Sequence, residues 1–392
     1  MIFDQIGFQN SVVTAVSSVT GDLPVGLHEP IFAGNEQKYV RDCIDSTYVS
    51  SVGKYVSKFE EDLARYVGVK HAVAMVNGTS ALHLGLLISG VQEGDEVLIP
   101  SLTFVATANA VKYLGATPHF VDAEVDSLGI DPNKLGLYLE KISKIESGRC
   151  VNKSTGRRIS AIIPMHTFGH ASKMDEIADI ARRFNLVIIE DAAEGLGSKY
   201  KGSHVGNLGN LGILSFNGNK IVTTGGGGAI LTNSEKLASK AKHLSTTAKV
   251  NHEWKFVHDE VAFNYRMPNL NAALGCAQLE SLEEKVNLKR ELQVKYKAAF
   301  AGVLGVKVFE APDYSFSNYW LQTLILEPEY STSMEPLLKM LNSKGLMSRP
   351  VWEPLHKLSM FLNSPRMNMD SVERLHKQII NIPSSPQLIG SK

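Results

Sequence analysis

The chain has 392 residues, 40 basic and 40 acidic side chains with no formal net charge, and 44% hydrophobic residues. That length exceeds what one core ordinarily serves, so two unequal domains are expected. Balanced charge without a long basic run argues against nucleic acid or a membrane surface as partner.

The opening stretch, MIFDQIGFQNSVVTAVSSVT, lacks the basic start and continuous apolar run of a secretion signal. No window holds the about 18 apolar residues of a membrane span. Cys43, Cys150 and Cys276 are odd in number and far apart, which speaks against a disulfide framework and for a reducing compartment. A cytoplasmic protein is expected.

Taken in chain order, short apolar runs alternate with amphipathic stretches. HAVAMV (71–76) precedes SALHLGLLISG, and DEVLIP (95–100) and TPHFVDA (117–123) follow. SAIIPMHT (160–167) leads into MDEIADIARRF, and then comes NLVIIEDAA (185–193). Alternation of this kind predicts an α/β fold, a mostly parallel sheet covered by helices on both faces. From about residue 250 the texture changes. A charged helical pattern runs over 271–302, an extended YWLQTLILE follows, then a helix at SMEPLLKMLNSKG. The expected division is a large domain, 1–250, and a smaller α+β domain, 251–392.

Open parallel sheets bind ligands beyond the carboxyl ends of their strands. VNGTS, SLTFVATANA, MHTFGH and EDAAEGLGS all fall there. NGTSALHLG offers free amides and a helix dipole for a phosphate, or else Thr79 or Ser80 simply caps a helix. Asp191 ends a buried strand, where a carboxylate is a cap, half of an ion pair, or the partner of a protonated ring nitrogen. Lys220, in SFNGNKIVTTGGGG, sits between a serine and asparagines and four glycines. Such confinement suits an amine that must be partly neutral to form a Schiff base. Ser215 can offer a hydroxyl to the same phosphate, and the glycines permit close backbone approach.

The ordered set GTSA, TFVATANA, EDAAE, SFNGNK with its glycine run, and NYRMPNLNAALG resembles the DegT/StrS-type aminotransferases that act on nucleotide-linked keto-sugars. The likeness covers roughly residues 27–386. It implies the fold type I (aspartate aminotransferase-like) architecture of enzymes dependent on pyridoxal 5′-phosphate (PLP). It makes Lys220 the Schiff-base lysine and Asp191 the partner of the pyridine nitrogen. Phe104 would stack on the ring, and Thr79, Ser80 and Ser215 would hold the phosphate. Asn264 would reach the phosphate of a second subunit's cofactor, implying a homodimer with shared active sites. Glu194 stands near the phenolic oxygen, where many relatives have glutamine or histidine.

Local sequences narrow the resemblance. IDSTYVSSVGKYV, MHTFGHASKMDEI and RPVWEPLH are similar to the branch that makes 4-amino-4,6-dideoxy sugars on UDP-N-acetylglucosamine for legionaminic acid and bacillosamine. The implied substrates are UDP-2-acetamido-2,6-dideoxy-α-D-xylo-hexos-4-ulose and L-glutamate, with GDP- or dTDP-linked sugars as alternatives. His166, His170, His356 and Arg266 are candidates for contact with sugar or nucleotide, although an isolated histidine is more often structural. No histidine, cysteine and acid spacing suggests a metal. A PLP-binding regulator would have little reason to keep this set together. A sugar dehydrase would carry histidine in place of Lys220, and no strand is followed by the glycine pattern of a nicotinamide enzyme.

Overall fold

The computed structural model of the chain describes residues 4–21 and 24–390. Its central sheet has the spatial order His71–Met75, Gly228–Thr232, Leu211–Ser215, Val187–Asp191, Arg158–Ile162, Glu96–Pro100, Thr117–Val121. The pairs from Leu211–Ser215 outward to Thr117–Val121 are parallel. Gly228–Thr232 runs antiparallel to both of its neighbours. That strand returns the glycine-rich segment into the sheet, so the sheet is mixed at one end. The architecture is the α/β one expected for fold type I.

Helices form where the apolar residues recur every three or four positions. Met174–Phe184 buries Met174, Ile177, Ile180, Ala181 and Phe184 along one stripe. Acids occupy its first turn and arginines its last, complementing the helix dipole, and Asn185 ends it in a left-handed conformation. The charged pattern expected over 271–302 is two helices, Asn269–Glu280 and Leu282–Ala299, joined at Ser281. Ser281 leaves helical geometry there, and its hydroxyl donates to the Gln278 carbonyl at 3.3 Å.

A second, antiparallel sheet has the order Val306–Val308, Gln322–Leu326, Ile379–Ile382, Arg349–Pro350. Its core joins Leu324, Leu326, Ile380 and Ile382 to Leu292 and Tyr296, and also to Phe8, Val12 and Val16. The first helix, Gln5–Thr20, therefore packs with the second sheet. A division at residue 250 separates that helix from its packing partners, and Asn269–Glu280 stays with the large core through its contacts with Lys54–Val67. Sequence order hid this because the segments of the large core lie between the N-terminal helix and its packing partners in the chain. Among the described residues no helix is long and apolar enough to cross a membrane. All three cysteines are buried and unpaired.

Candidate active site

The segments that leave His71–Met75, Val187–Asp191 and Leu211–Ser215 at their carboxyl ends enclose one cavity of ≈ 360 Å³. Thr79, Phe104, Asp191, Glu194, Ser215 and Lys220 line it together. Six positions spread over 142 residues of sequence thus converge because parallel strands end on one rim.

Asp191 is 3% exposed and ends its strand. The Thr107 hydroxyl donates to its Oδ2 at 2.7 Å, and the Ala193 amide donates to Oδ1 at 3.2 Å. It caps no helix and makes no ion pair among the described residues. Burial raises its pKa, opposed by those two hydrogen bonds and by the charge of Lys220. A carboxylate fixed by two donors yet short of a cation is oriented for one more.

Lys220 Nζ lies 3.2 Å from Glu194 Oε1 and 3.8 Å from the centre of the Trp320 ring. The indole is held in turn by its Nε1–H, which donates to the Asn219 carbonyl at 2.7 Å. Glu194 Oε2 accepts from the Phe168 amide at 2.8 Å, and Phe168 takes a left-handed φ of 54°. Burial pushes the Glu194 carboxyl up to about 7, against the attraction of Lys220. The proton of the Glu194 carboxyl is therefore exchangeable near neutral pH.

The helix Gly78–Ile88 starts on the cavity wall, and Asn77 caps it by accepting from the Ser80 amide at 2.7 Å. Its free amides and dipole favour an anion there. The glycine run brings a second strand against this helix end. A Cβ on Gly228 would stand 2.6 Å from the Asn77 carbonyl carbon and the Gly78 nitrogen, so only glycine fits. Gly225, at φ +77°, makes the turn.

Among the remaining expected residues, Phe104 is on the cavity wall and Ser80, Asn264 and Arg266 are not. Ser80 is absent from the cavity lining, one step behind Thr79 in the cap. Phe104 is 52% exposed, on the cavity wall and not in the core. Asn264 is exposed, and its Oδ1 accepts from Arg266 Nε at 3.0 Å; neither lines this cavity.

The histidines require correction. His166 is fully buried, its Nε2 facing Glu190 Oε2 at 2.9 Å and its Nδ1 accepting from the Ser172 amide at 3.2 Å. His356 is occupied by Ser101 Oγ at 2.7 Å and Glu373 Oε1 at 3.4 Å. Neither ring has a nitrogen left for a sugar. His170 is in the core beside Phe309 and Tyr319, where burial pushes it down to about 3. Asn77, Asn217, Asn219, Trp320 and Trp352 line the cavity and were missed. The RPVWEPLH stretch did contain Trp352, and an aromatic there was the available signal. On the surface His243, Asp259 and Glu260 cluster, but His243 pairs with Asp259 and Lys240 with Glu260.

Comparison with known proteins gives consistent results. The family model for the DegT/DnrJ/EryC1/StrS aminotransferase family matches residues 30–392. A GDP-perosamine synthase of Caulobacter vibrioides is 38% identical over 367 residues, 93% of this chain and 94% of that protein. A UDP-4-amino-4,6-dideoxy-N-acetyl-beta-L-altrosamine transaminase of Campylobacter jejuni is 33% identical, with 86% of each chain covered. The crystal structure of a DegT DnrJ EryC1 StrS aminotransferase from Brucella abortus superposes with a TM-score of 0.81 at 28% identity, covering 91% of this chain and 94% of that one.

Proposed function

This chain belongs to the DegT/DnrJ/EryC1/StrS aminotransferase family of PLP-dependent sugar aminotransferases, and we propose that it moves an amino group from L-glutamate to the 4-keto carbon of a nucleotide-linked 4-keto-6-deoxy sugar. The residues of the cavity fit the cofactor. The helix end at Gly78, with Thr79 and Ser215, offers amides and hydroxyls for its phosphate. Gly228 keeps that cradle free of a side chain. Asp191 would meet the ring nitrogen, and Phe104 would supply a face for the ring.

When bound, PLP supplies an electron sink for the carbon that loses its proton. The chain's own residues do the rest. Lys220 holds the cofactor between turnovers and, once displaced, carries the proton at its Nζ. Glu194, titrating near 7, takes up or returns a proton at Oε1, 3.2 Å away. Trp320 covers the amine and limits water around it. The observation that carries this reading is the convergence of Lys220, Glu194 and Asp191 on one cavity with a helix N-terminus.

For the acceptor, the local sequence likeness favours UDP-2-acetamido-2,6-dideoxy-α-D-xylo-hexos-4-ulose. The product would be the 4-amino sugar nucleotide of legionaminic acid or bacillosamine type. A GDP-linked acceptor is the second reading, favoured by the 38% identity to a GDP-perosamine synthase. Asn264, outside its own chain's cavity, is taken to reach the cofactor phosphate of a second copy, with Arg266 beside it near that copy's substrate. The three unpaired cysteines fit a cytoplasmic enzyme. A panel of UDP-, GDP- and dTDP-linked 4-keto-6-deoxy sugars, offered with glutamate, tests the reading. NMR should find a new amine at C4 of the UDP sugar. A protein that aminates none of the panel sinks the proposal.

A further inference from the structure

Glu194 and Trp320 stand against the Lys220 amine, and they come from different parts of the fold. Glu194 follows Val187–Asp191 of the central sheet, and Trp320 precedes Gln322–Leu326 of the second sheet. Their places beside Nζ, at 3.2 Å for the carboxylate oxygen and 3.8 Å for the ring centre, therefore depend on how the two segments are joined.

The Asn318 side chain makes that joint. It is fully buried, and its Nδ2 donates to the carbonyls of Glu194 and Leu196, each at 2.8 Å. Its Oδ1 accepts from the Trp320 amide at 2.7 Å. The Asn318 backbone amide donates to Ser198 Oγ at 2.9 Å, and that hydroxyl donates to the Gly169 carbonyl at 2.7 Å. Next to Gly169, the Phe168 amide holds Glu194 Oε2. The circuit closes on Glu194, whose backbone and carboxylate are both fixed by it. A Cβ on Gly169 would stand 1.9 Å from Asn318 Oδ1, so glycine makes room for the amide. Asn318 lies 124 and 122 residues from the carbonyls it binds, so no local motif announces the link.

A buried amide with its donors and acceptor satisfied ordinarily serves the fold alone. Asn318 differs in what it joins, since each end of the link leads to a group against Lys220. Removing it frees two carbonyls and one amide together, and lets Glu194 and Trp320 shift about Nζ. The charged groups facing Glu194 are Lys220 and Asp191, and burial holds its carboxyl up at about 7. A loosened turn that admits water lets that carboxyl fall back toward its ordinary range.

We propose that Asn318 is a positioning residue of the reaction, setting the places of Glu194 and Trp320 about Lys220 and with them proton transfer at the amine. The inference rests on the aminotransferase reading given above and adds the residue that holds the surroundings of the amine.

The test compares the wild type with Asn318→Ala, Asn318→Asp and a control, Tyr296→Phe. The control loses one buried hydrogen bond, to the Pro383 carbonyl, in the core of the second sheet. Asn318→Asp keeps the shape and the acceptor for Trp320 but loses both donors, so it decides the matter if the alanine chain does not fold. In either Asn318 variant the half-reaction of the PLP-loaded enzyme with glutamate, followed by absorbance, should slow roughly 10–100-fold, the scale of reacting groups misplaced by about 1 Å. The pH at which the bound cofactor's absorbance changes should move by about half a unit or more. In cofactor-free Asn318→Ala, the loss of stability that Glu194 causes as pH rises from 5 to 8 should shrink. Tyr296→Phe should melt lower and show none of these changes. An Asn318→Ala protein that only melts lower, with wild-type rate, absorbance midpoint and pH slope, overturns the proposal, as does Asn318→Asp with wild-type rate and midpoint. Should the wild type not react with glutamate, the functional reading fails by itself, and the cofactor-free slope still decides whether Asn318 governs Glu194.

Discussion

A glutamate buried beside a lysine usually stays charged, yet Glu194 is placed so deeply that its carboxyl titrates at about 7. A charged carboxylate would be repelled by the phenolic oxygen that the family resemblance puts beside Glu194, whereas a carboxyl that titrates near 7 keeps a share of its protons at neutral pH and can donate one. Folding then couples to pH with a definite sign. The unfolded side chain loses its proton near 4.5 and the folded one near 7, so between those values the native state binds the extra proton. Stability of the cofactor-free protein should fall as pH rises through that window, by up to about 3 kcal/mol. Glu194→Gln should abolish this part of the slope in thermal melts taken between pH 5 and 8. Equal slopes in both proteins would show that Glu194 is ionised throughout. Lys220→Ala should stop turnover while leaving the fold intact, and Asp191→Asn should retain cofactor while losing most of the rate, since an amide cannot stabilise a pyridinium charge. Single-turnover spectra with glutamate check both, and normal rates would remove either residue from the chemistry. These three residues were legible in the sequence because Asp191 ends a strand on the rim and Glu194 and Lys220 lie within five residues beyond strands that end there. Trp320 was not, since it arrives next to a strand of the second sheet and no local spacing announces it, and Trp352 was signalled only as an aromatic within RPVWEPLH. His166 and His356 misled for a related reason: Glu190 and Ser101, remote in sequence, occupy their rings.

At the level of elements, the cradle proposed for the cofactor phosphate depends on how closely the strand Gly228–Thr232 approaches the helix Gly78–Ile88. The sequence reading took the four glycines as permitting close backbone approach to a ligand. The structure gives them a further task, backbone against backbone, since a Cβ at Gly228 would meet Asn77 and Gly78 at 2.6 Å. Backbone cannot swing aside as a side chain can, so Gly228→Ala must push strand and helix apart. The expected cost is about 1–3 kcal/mol of stability, the usual scale of overpacking. Cofactor should also dissociate faster, because the helix amides move. Asn77→Ala removes the cap alone, at about 0.5–2 kcal/mol, without moving the strand. Comparing the two by thermal melts with and without PLP separates the effects. A Gly228→Ala protein as stable and as tightly loaded as the wild type would mean that the close approach is not needed. The antiparallel placement of this strand was illegible for a physical reason: its apolar run reads the same in either direction, and only pairing with its two neighbours fixes the sense.

The whole molecule leaves a residue of the expected site outside the site. Asn264 is exposed on the large domain's surface, bonded to Arg266, and absent from its own chain's cavity. Nearby, between residues 250 and 261, Trp254, Phe256 and Val261 are 72%, 83% and 95% exposed. Apolar side chains so exposed are unusual on a monomer and usual where another surface covers them. A two-fold dimer is the simplest closed arrangement in which each copy completes the other's site. The expected species in sedimentation is a homodimer, and Asn264→Ala should weaken cofactor retention by about 1–3 kcal/mol. Mixing inactive Lys220→Ala chains with Asn264→Ala chains tests the arrangement itself. In a mixed dimer one site inherits both defects and the other inherits neither. Activity should therefore rise above both parents as subunits exchange, approaching one intact site per mixed dimer. If exchange is demonstrated by mass and activity does not rise, Asn264 serves its own chain, and each cavity works alone.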